Sequence, residues 1–235
     1  MLIQDTRAIV SGGASGLGLA VAELVVAAGG KVALFDVNDQ AGVDAVRKLG
    51  PAASFHKVDV TVESAVAAAV AAATTAMGGL NLAVSCAGVG WPKRMVGKEG
   101  TMPGDFFRKV IEINLVGTLL LCKEAAAVMQ RNTPNATGER GALVMTASVA
   151  AFDGQIGQVA YAASKGGVVG MTLPMARELA SSGIRVVTIA PGLFMTPMLA
   201  ALPQEARDSL GKQVPFPPRL GQPARGRDRV RDGHP

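Results

Sequence analysis

Between Ile9 and Asp36 the chain reads IVSGGASGLGLAVAELVVAAGGKVALFD, with four glycines in the first ten residues of that stretch. Ordering glycine costs backbone entropy, so such a cluster marks backbone that must turn sharply or come close to another group. Arg7–Ser11 before it reads as an apolar strand, Leu17–Ala28 as a helix, and Lys31–Phe35 as a second strand that stops on Asp36. Strand, glycine loop, helix and strand form one βαβ unit, which commits the chain to parallel pairing with a right-handed crossover.

The same alternation continues downstream. Asp39–Leu49 reads as a helix, Ser54–Val58 as a strand, and Thr61–Met77 as a helix capped by Thr61 with Glu63 nearby. Asn81–Ser85 is a strand, Phe106–Arg131 one or two helices, Ala142–Thr146 a strand, Val159–Ser181 a helix and Arg185–Ile189 a strand. The strands are short and apolar on both faces, as buried parallel strands are. The expected fold is α/β: a Rossmann-type doubly wound parallel sheet in one domain, residues 1–222. Trp91–Gly104 interrupts the pattern as a long polar loop, a kind that is usually functional or mobile.

In open parallel sheets, ligands bind beyond the carboxyl ends of the strands, where Gly12–Gly18 would lie. Gly12 lets the chain turn. Gly16 and Gly18 let backbone approach a diphosphate, and the N–H groups that open the Leu17 helix face the anion. A glycine triplet alone also fits a plain tight turn; its place in a βαβ unit ending on Asp36 favours a dinucleotide. Asp36 falls where an adenosine ribose would lie, and a carboxylate there binds ribose hydroxyls and repels a 2′-phosphate. No Arg or Lys occurs in LFDVND or in the glycine loop, so the expected cofactor is NAD. Asp59 and Val60 end the third strand at the same edge and are candidates for the adenine.

Composition narrows the function classes. Hydrophobic residues make up 49% of the 235 residues and aromatics only 4%, which suits helices laid on a sheet and not the stacking of nucleic-acid bases. The net charge is +5, of which the last thirteen residues, PARGRDRVRDGHP, hold four Arg against two Asp. The remaining +3 is no case for a nucleic-acid partner. No run reaches the ~18 apolar residues of a membrane span. The first strand begins by Arg7, which leaves no room for a signal peptide. Cys86 and Cys122 read as buried free thiols of a reducing compartment, so a cytoplasmic location is expected. His56 and His234 lie too far apart to suggest a metal, and none is expected.

A second cluster, TASVAAFDGQIGQVAYAASKGGVVGMT, spans Thr146–Thr172. Tyr161 and Lys165 are four apart on a predicted helix and share a face. Ser148 ends the fifth strand, at the same edge as the glycine loop. A tyrosine with an unperturbed pKa near 10 is a poor base. A nearby ammonium favours the phenolate and is expected to lower that pKa. Tyr161 could then take the proton of a substrate hydroxyl while hydride leaves its carbon, with Ser148 orienting the same oxygen.

With these residues in view, the sequence resembles the short-chain dehydrogenase/reductase family. SGGASGLG is similar to that family's TGxxxGxG loop, YAASK to its YxxxK, EINLVG supplies its asparagine as Asn114, and APGLFMTPM matches its PG…T segment. The likeness runs from about Arg7 to Gly221 and is strongest to the branch acting on 3-hydroxyacyl-CoA and hydroxysteroids. It implies a catalytic set of Asn114, Ser148, Tyr161 and Lys165, with Ser148 and Tyr161 also binding the small-molecule substrate. Asn114 would hold a water that links Lys165 to solvent. Cofactor contacts are implied at Gly12, Ser15, Gly16, Leu17, Gly18, Asp36, Asp59 and Val60. They are implied further at Cys86, Ala87, Gly88, Tyr161, Lys165, Pro191, Gly192, Phe194 and Thr196. A homo-oligomer, in this family a tetramer, is also implied. Two alternatives stay open: an NADPH-dependent 3-oxoacyl thioester reductase, and a cofactor-binding protein with little activity.

The chain departs from the family at two places. Ser85 stands where most members have Asn. After QVPFPPRLGQP the family adds a helix and a further strand, whereas this chain reads ARGRDRVRDGHP. Residues 223–235 are therefore expected to be a disordered basic tail from a shifted reading frame or a natural extension. The sheet is expected to lack the family's last helix and strand, with Arg185–Ile189 as an exposed apolar edge.

Overall fold

The computed structural model describes residues 2–200 and 204–223. A short 3-10 turn at Ile3–Asp5 leads into strand β1 (Arg7–Ser11), helix α1 (Gly16–Ala27), β2 (Lys31–Asp36), α2 (Asp39–Leu49), β3 (Ala53–Lys57), α3 (Glu63–Met77) and β4 (Leu82–Ser85). The polar loop then folds a small antiparallel hairpin, β5 (Val96–Gly97) and β6 (Gly100–Thr101), that pairs apart from the main sheet. Helix α4 (Gly104–Ile111), a π-helical turn (Glu112–Val116) and α5 (Gly117–Met129) follow, then β7 (Gly141–Thr146), α6 (Val159–Ala180), β8 (Ile184–Ile189), α7 (Pro197–Ala200) and α8 (Gln204–Lys212).

Six parallel strands form the main sheet in the order β3-β2-β1-β4-β7-β8. The order reverses direction between β1 and β4, the switch point at which doubly wound sheets open a crevice. Alternation within the strands explains the layers. Ala8 and Val10 of β1, with Val32 and Leu34 of β2, pack against Ala22, Val25 and Ala45 of α1 and α2. Ile9, Ala33 and Phe35 point to the other face, against Val66 and Val70 of α3 and Leu121 and Ala125 of α5. Every second residue thus serves one of two cores, as strands covered on both faces require.

Thr61 does not cap α3: Val62 occupies the cap position, and the Thr61 hydroxyl instead donates to Asp59 Oδ1 at 2.7 Å. A short side chain two residues past an aspartate finds that carboxylate before it finds the helix. At the opposite end, β8 is the outermost strand of the sheet among the described residues, and its Val187 and Ile189 are 46% and 56% exposed. Of the expected basic tail, residues 224–235 lie outside the described residues. No described helix is long and apolar enough to cross a membrane.

Candidate active site

One cavity of about 1310 Å³ runs along the carboxyl ends of the central strands. Its first half is backbone. Gly12 sits at φ +63°, and a Cβ there would stand 2.7 Å from the Ala87 nitrogen. Gly18 has no room for one either: a Cβ would meet the Gly12 carbonyl oxygen at 2.2 Å. The loop is thus folded tightly on itself and against the turn after β4. No side chain caps the start of α1, so its first N–H groups stay available to an anion.

Asp36 braces this loop from β2. Its Oδ2 accepts from the Ala14 N–H at 3.2 Å and its Oδ1 from the Asn38 N–H at 3.1 Å. Lys57 is its register partner on β3, but the Lys57 ammonium bonds Asp39 at 2.5 Å instead. Asp59 Oδ1 accepts from both the N–H and the hydroxyl of Thr61, at 2.9 and 2.7 Å.

The second half of the cavity is built from side chains. Ser148 opens a 3-10 turn just past β7, where its hydroxyl oxygen accepts from the Ala150 N–H at 3.2 Å. Tyr161 and Lys165 lie one turn apart near the start of α6. Lys165 is 5% exposed, and its Nζ donates to the Thr146 carbonyl at the end of β7 at 2.7 Å. The same Nζ stands 5.8 Å from the centre of the Tyr161 ring. Burial pulls the Lys165 pKa down to about 8, against a small upward pull from Cys86.

Tyr161 differs from the expectation. Its pKa lies above that of a free phenol, because burial outweighs the hydrogen bond from Ser148, which acts to lower it. Desolvation penalises the charged form of each group, so the buried lysine yields its proton more easily while the buried phenol holds its own. Cys86 lies beside them, its thiol 3.5 Å from Thr146 Oγ1 and raised in pKa chiefly by burial. Cys122 is buried elsewhere and pushed up to about 12; both cysteines are free thiols.

Asn114 does not line the cavity; it works behind it. Its Nδ2 donates to the Val89 carbonyl at 2.9 Å and to Ser164 Oγ at 3.0 Å, while its Oδ1 accepts from the Val89 N–H at 2.8 Å. Ser164 in turn donates to the Tyr161 carbonyl at 2.7 Å. The side-chain amide thus ties the turn after β4 to the helix that carries Tyr161 and Lys165. The Asn114 backbone carbonyl, within the π-helical turn, accepts from the Thr118 hydroxyl at 2.8 Å.

Every other catalytic or cofactor-contact candidate from the sequence lines this cavity, from Gly12, Ser15, Gly16, Leu17 and Gly18 through Asp36, Asp59 and Val60 to Cys86, Ala87 and Gly88. Ser148, Tyr161, Lys165, Pro191, Gly192, Phe194 and Thr196 complete it. The segment bearing Phe194 and Thr196 is held by the chain after α8: the Met195 N–H donates to the Gly221 carbonyl at 2.7 Å, and the Gly221 N–H to Leu193 at 2.8 Å. Sequence reasoning missed Ser164 and the Thr146 carbonyl. Ser164 sits inside YAASK and could have been asked for its partner; a backbone acceptor leaves no mark in a sequence.

The family model described as short chain dehydrogenase matches residues 6–207. Over 225 residues the chain is 49% identical to 3-hydroxyacyl-CoA dehydrogenase type-2 of Drosophila melanogaster, a match spanning 95% of this chain and 88% of that protein. The Bos taurus protein of the same name is 48% identical over 224 residues, 94% of this chain and 86% of that one. The crystal structure of 3-hydroxyacyl-CoA dehydrogenase type-2 from Mycobacterium avium aligns with a TM-score of 0.87 at 41% identity, covering 98% of this chain and 91% of that chain. With its doubly wound sheet, tight glycine loop and Tyr161–Lys165 turn facing one cavity, the chain belongs to the short chain dehydrogenase family.

Proposed function

We propose that this protein oxidises the hydroxyl of a 3-hydroxyacyl-CoA thioester to the ketone, with NAD as the hydride acceptor, in a single domain spanning residues 1–222. One observation carries the reading: Asp36, the glycine loop, Ser148, Tyr161 and Lys165 all open onto the same cavity. The names of the relatives supply the thioester.

The residues present suit a dinucleotide. Gly12 and Gly18 let the loop fold tightly, since a Cβ on either would strike neighbouring backbone, and the uncapped start of α1 beside it suits a diphosphate. Asp36 suits a ribose with free hydroxyls. Lys57, the nearest cation in register, is spent on Asp39, so nothing on that strand invites a 2′-phosphate. This favours NAD over NADP. Asp59 and Val60 lie where the adenine would be held, and Phe194 and Thr196 where the carboxamide would be. Bound NAD supplies the hydride acceptor.

The chain's own groups handle the proton. Ser148 and Tyr161 hold the substrate oxygen between two hydroxyls. In its phenolate form Tyr161 takes the proton from that oxygen as the C–H bond breaks, and in the reverse direction the neutral phenol returns it. Lys165 is poised next to it with a pKa of about 8, so its charged and neutral forms are both accessible near neutral pH. It anchors through Thr146 and keeps its remaining N–H groups for ribose hydroxyls. Asn114 holds this helix in place through Ser164 and Val89, and the family resemblance assigns to it the water that serves Lys165.

Initial rates of acetoacetyl-CoA reduction with NADH and with NADPH test this reading. NADH should be preferred at equal concentration. A preference for NADPH would transfer the protein to the 3-oxoacyl thioester reductases, and no turnover with either cofactor would remove the thioester.

A further inference from the structure

Lys165 is the one buried lysine among the described residues; every other lysine is exposed. A lysine is almost never fully buried without an ionic partner. Yet no carboxylate among the described residues stands within ion-pairing distance of Lys165, and its one hydrogen bond runs to the Thr146 backbone carbonyl at 2.7 Å. The carboxylates that line the same cavity, Asp36, Asp59, Glu112 and Asp153, do not reach it. The titratable groups that face it are Tyr161, one turn earlier on α6, and Cys86, directly after β4. Burial raises the pKa of both, so neither is an anion near neutral pH and neither holds Lys165 as a cation.

The amine is also open to the cavity. Gly88 leaves one side of it uncovered, since a Cβ there would stand in contact with Lys165 Nζ at 3.6 Å. The bond to Thr146 uses one N–H of the neutral amine and leaves its lone pair free. Nζ stands 5.8 Å from the centre of the Tyr161 ring, beside the place where Ser148 and Tyr161 hold a ketone oxygen. A desolvated lysine amine next to a bound ketone has the chemistry of a carbonyl nucleophile. Its pKa of about 8 leaves a sizeable neutral fraction near neutral pH.

We infer that Lys165 is a carbonyl-modification site, where the cofactor-free protein condenses its amine with the ketone of a 3-oxoacyl product to give an imine. This deepens the reading above and rests on it for the ketone that Ser148 and Tyr161 hold. Nζ adds its lone pair to the ketone carbon, and the C=O π pair moves to oxygen, which takes the Tyr161 proton. One Nζ proton restores the phenol, giving a carbinolamine. The carbinolamine hydroxyl then takes the phenol proton and leaves as water, the C=N bond forms, and the second Nζ proton returns to Tyr161. Both Nζ protons thus leave in the water and Tyr161 ends as it began. The imine takes the amine away from ribose hydroxyls and is reversed by water, so it acts as a product-side brake that NAD binding opposes.

Cyanoborohydride, which reduces an imine to a stable secondary amine, makes the adduct visible without turnover. The cofactor-free protein is incubated with acetoacetyl-CoA or, separately, with 2,4-pentanedione, a ketone that has no thioester, and the modified residue is located by peptide mass mapping. Either probe should label Lys165 ahead of the exposed lysines. NAD at ten times its Kd should slow that labelling about tenfold, by occupying the site. Tyr161→Phe should slow it by roughly 10²-fold, the lower end for a lost general acid–base group. No adduct at Lys165 with either probe, labelling spread evenly over the exposed lysines, or a rate that neither NAD nor Tyr161→Phe changes overturns the inference while the thioester reading stands. Labelling of Lys165 by 2,4-pentanedione that NAD suppresses, with no turnover of acetoacetyl-CoA, supports the imine and fails the thioester reading instead.

Discussion

Across one cavity, the Gly12–Gly18 loop offers backbone and no ionisable side chain, whereas Tyr161 and Lys165 offer a half-buried phenol and a buried ammonium. The loop works by what is missing. Its tight fold has no room for a Cβ at Gly18, where one would stand 2.2 Å from the Gly12 oxygen. The helical turn works by what is present and desolvated. Burial drops Lys165 to a pKa of about 8 and lifts that of Tyr161. The anion-binding and proton-transfer roles proposed for them are thus separated in space, and substitutions should separate them too.

The largest expected effect is on the polar half alone. Tyr161→Phe should lower kcat by roughly 10²–10⁴-fold, the range typical of losing a general acid–base group. NAD titration should show binding retained. Loss of NAD binding together with turnover would mean that the two halves are not separable.

The next effect is on stability. Between about pH 8 and the ordinary lysine value of 10.5, the unfolded chain holds a proton on Lys165 that the folded chain has released. Unfolding therefore takes up a proton in that window, and the Lys165 contribution to stability rises with pH through it. Below about pH 8 the full cost of burying the ammonium is present. Lys165→Met should remove that cost, giving a stability gain whose pH-dependent part is about 3 kcal/mol at pH 7 and fades by pH 10.5. Urea unfolding of both proteins at pH 7 and pH 10 measures it. A gain that does not change with pH would break the assignment of the Lys165 shift to burial.

The backbone half should respond more modestly in stability and fully in binding. Gly18→Ala forces a methyl into the Gly12 carbonyl and should cost about 1–3 kcal/mol, as overpacking does. Calorimetry should show NAD affinity lost in the same variant. If NAD still binds with unchanged affinity, the close approach seen at Gly18 is not what forms the cradle.

These halves were also unequally legible. The glycine spacing, the strand alternation and Asp36 are local signals, each readable within about thirty residues, and a doubly wound parallel sheet followed from them. Ser148, Tyr161 and Lys165 were legible as residues through their spacing, but the direction of the Tyr161 shift was not. It depends on burial, which no spacing records. Thr61 misled for the opposite reason: its cap role is a local preference that a neighbouring carboxylate, Asp59, overrode. Asn114 was found through resemblance, whereas its partners Val89 and Ser164 lie 25 and 50 residues away along the chain.

By itself, then, the sequence determined what repeats or is excluded locally: a parallel doubly wound sheet, a loop with no room for side chains, and a carboxylate at the end of β2. Only the tertiary structure decided how the charged groups behave. It buried Lys165 against the Thr146 carbonyl, bound Asn114 to the back of α6, and gathered Trp91, Phe106, Lys93 and Lys109 at one mouth. The physical reason is the range of the forces. Backbone sterics and side-chain alternation act between near neighbours in the chain. Desolvation and hydrogen bonding depend on whichever groups folding brings within a few ångströms.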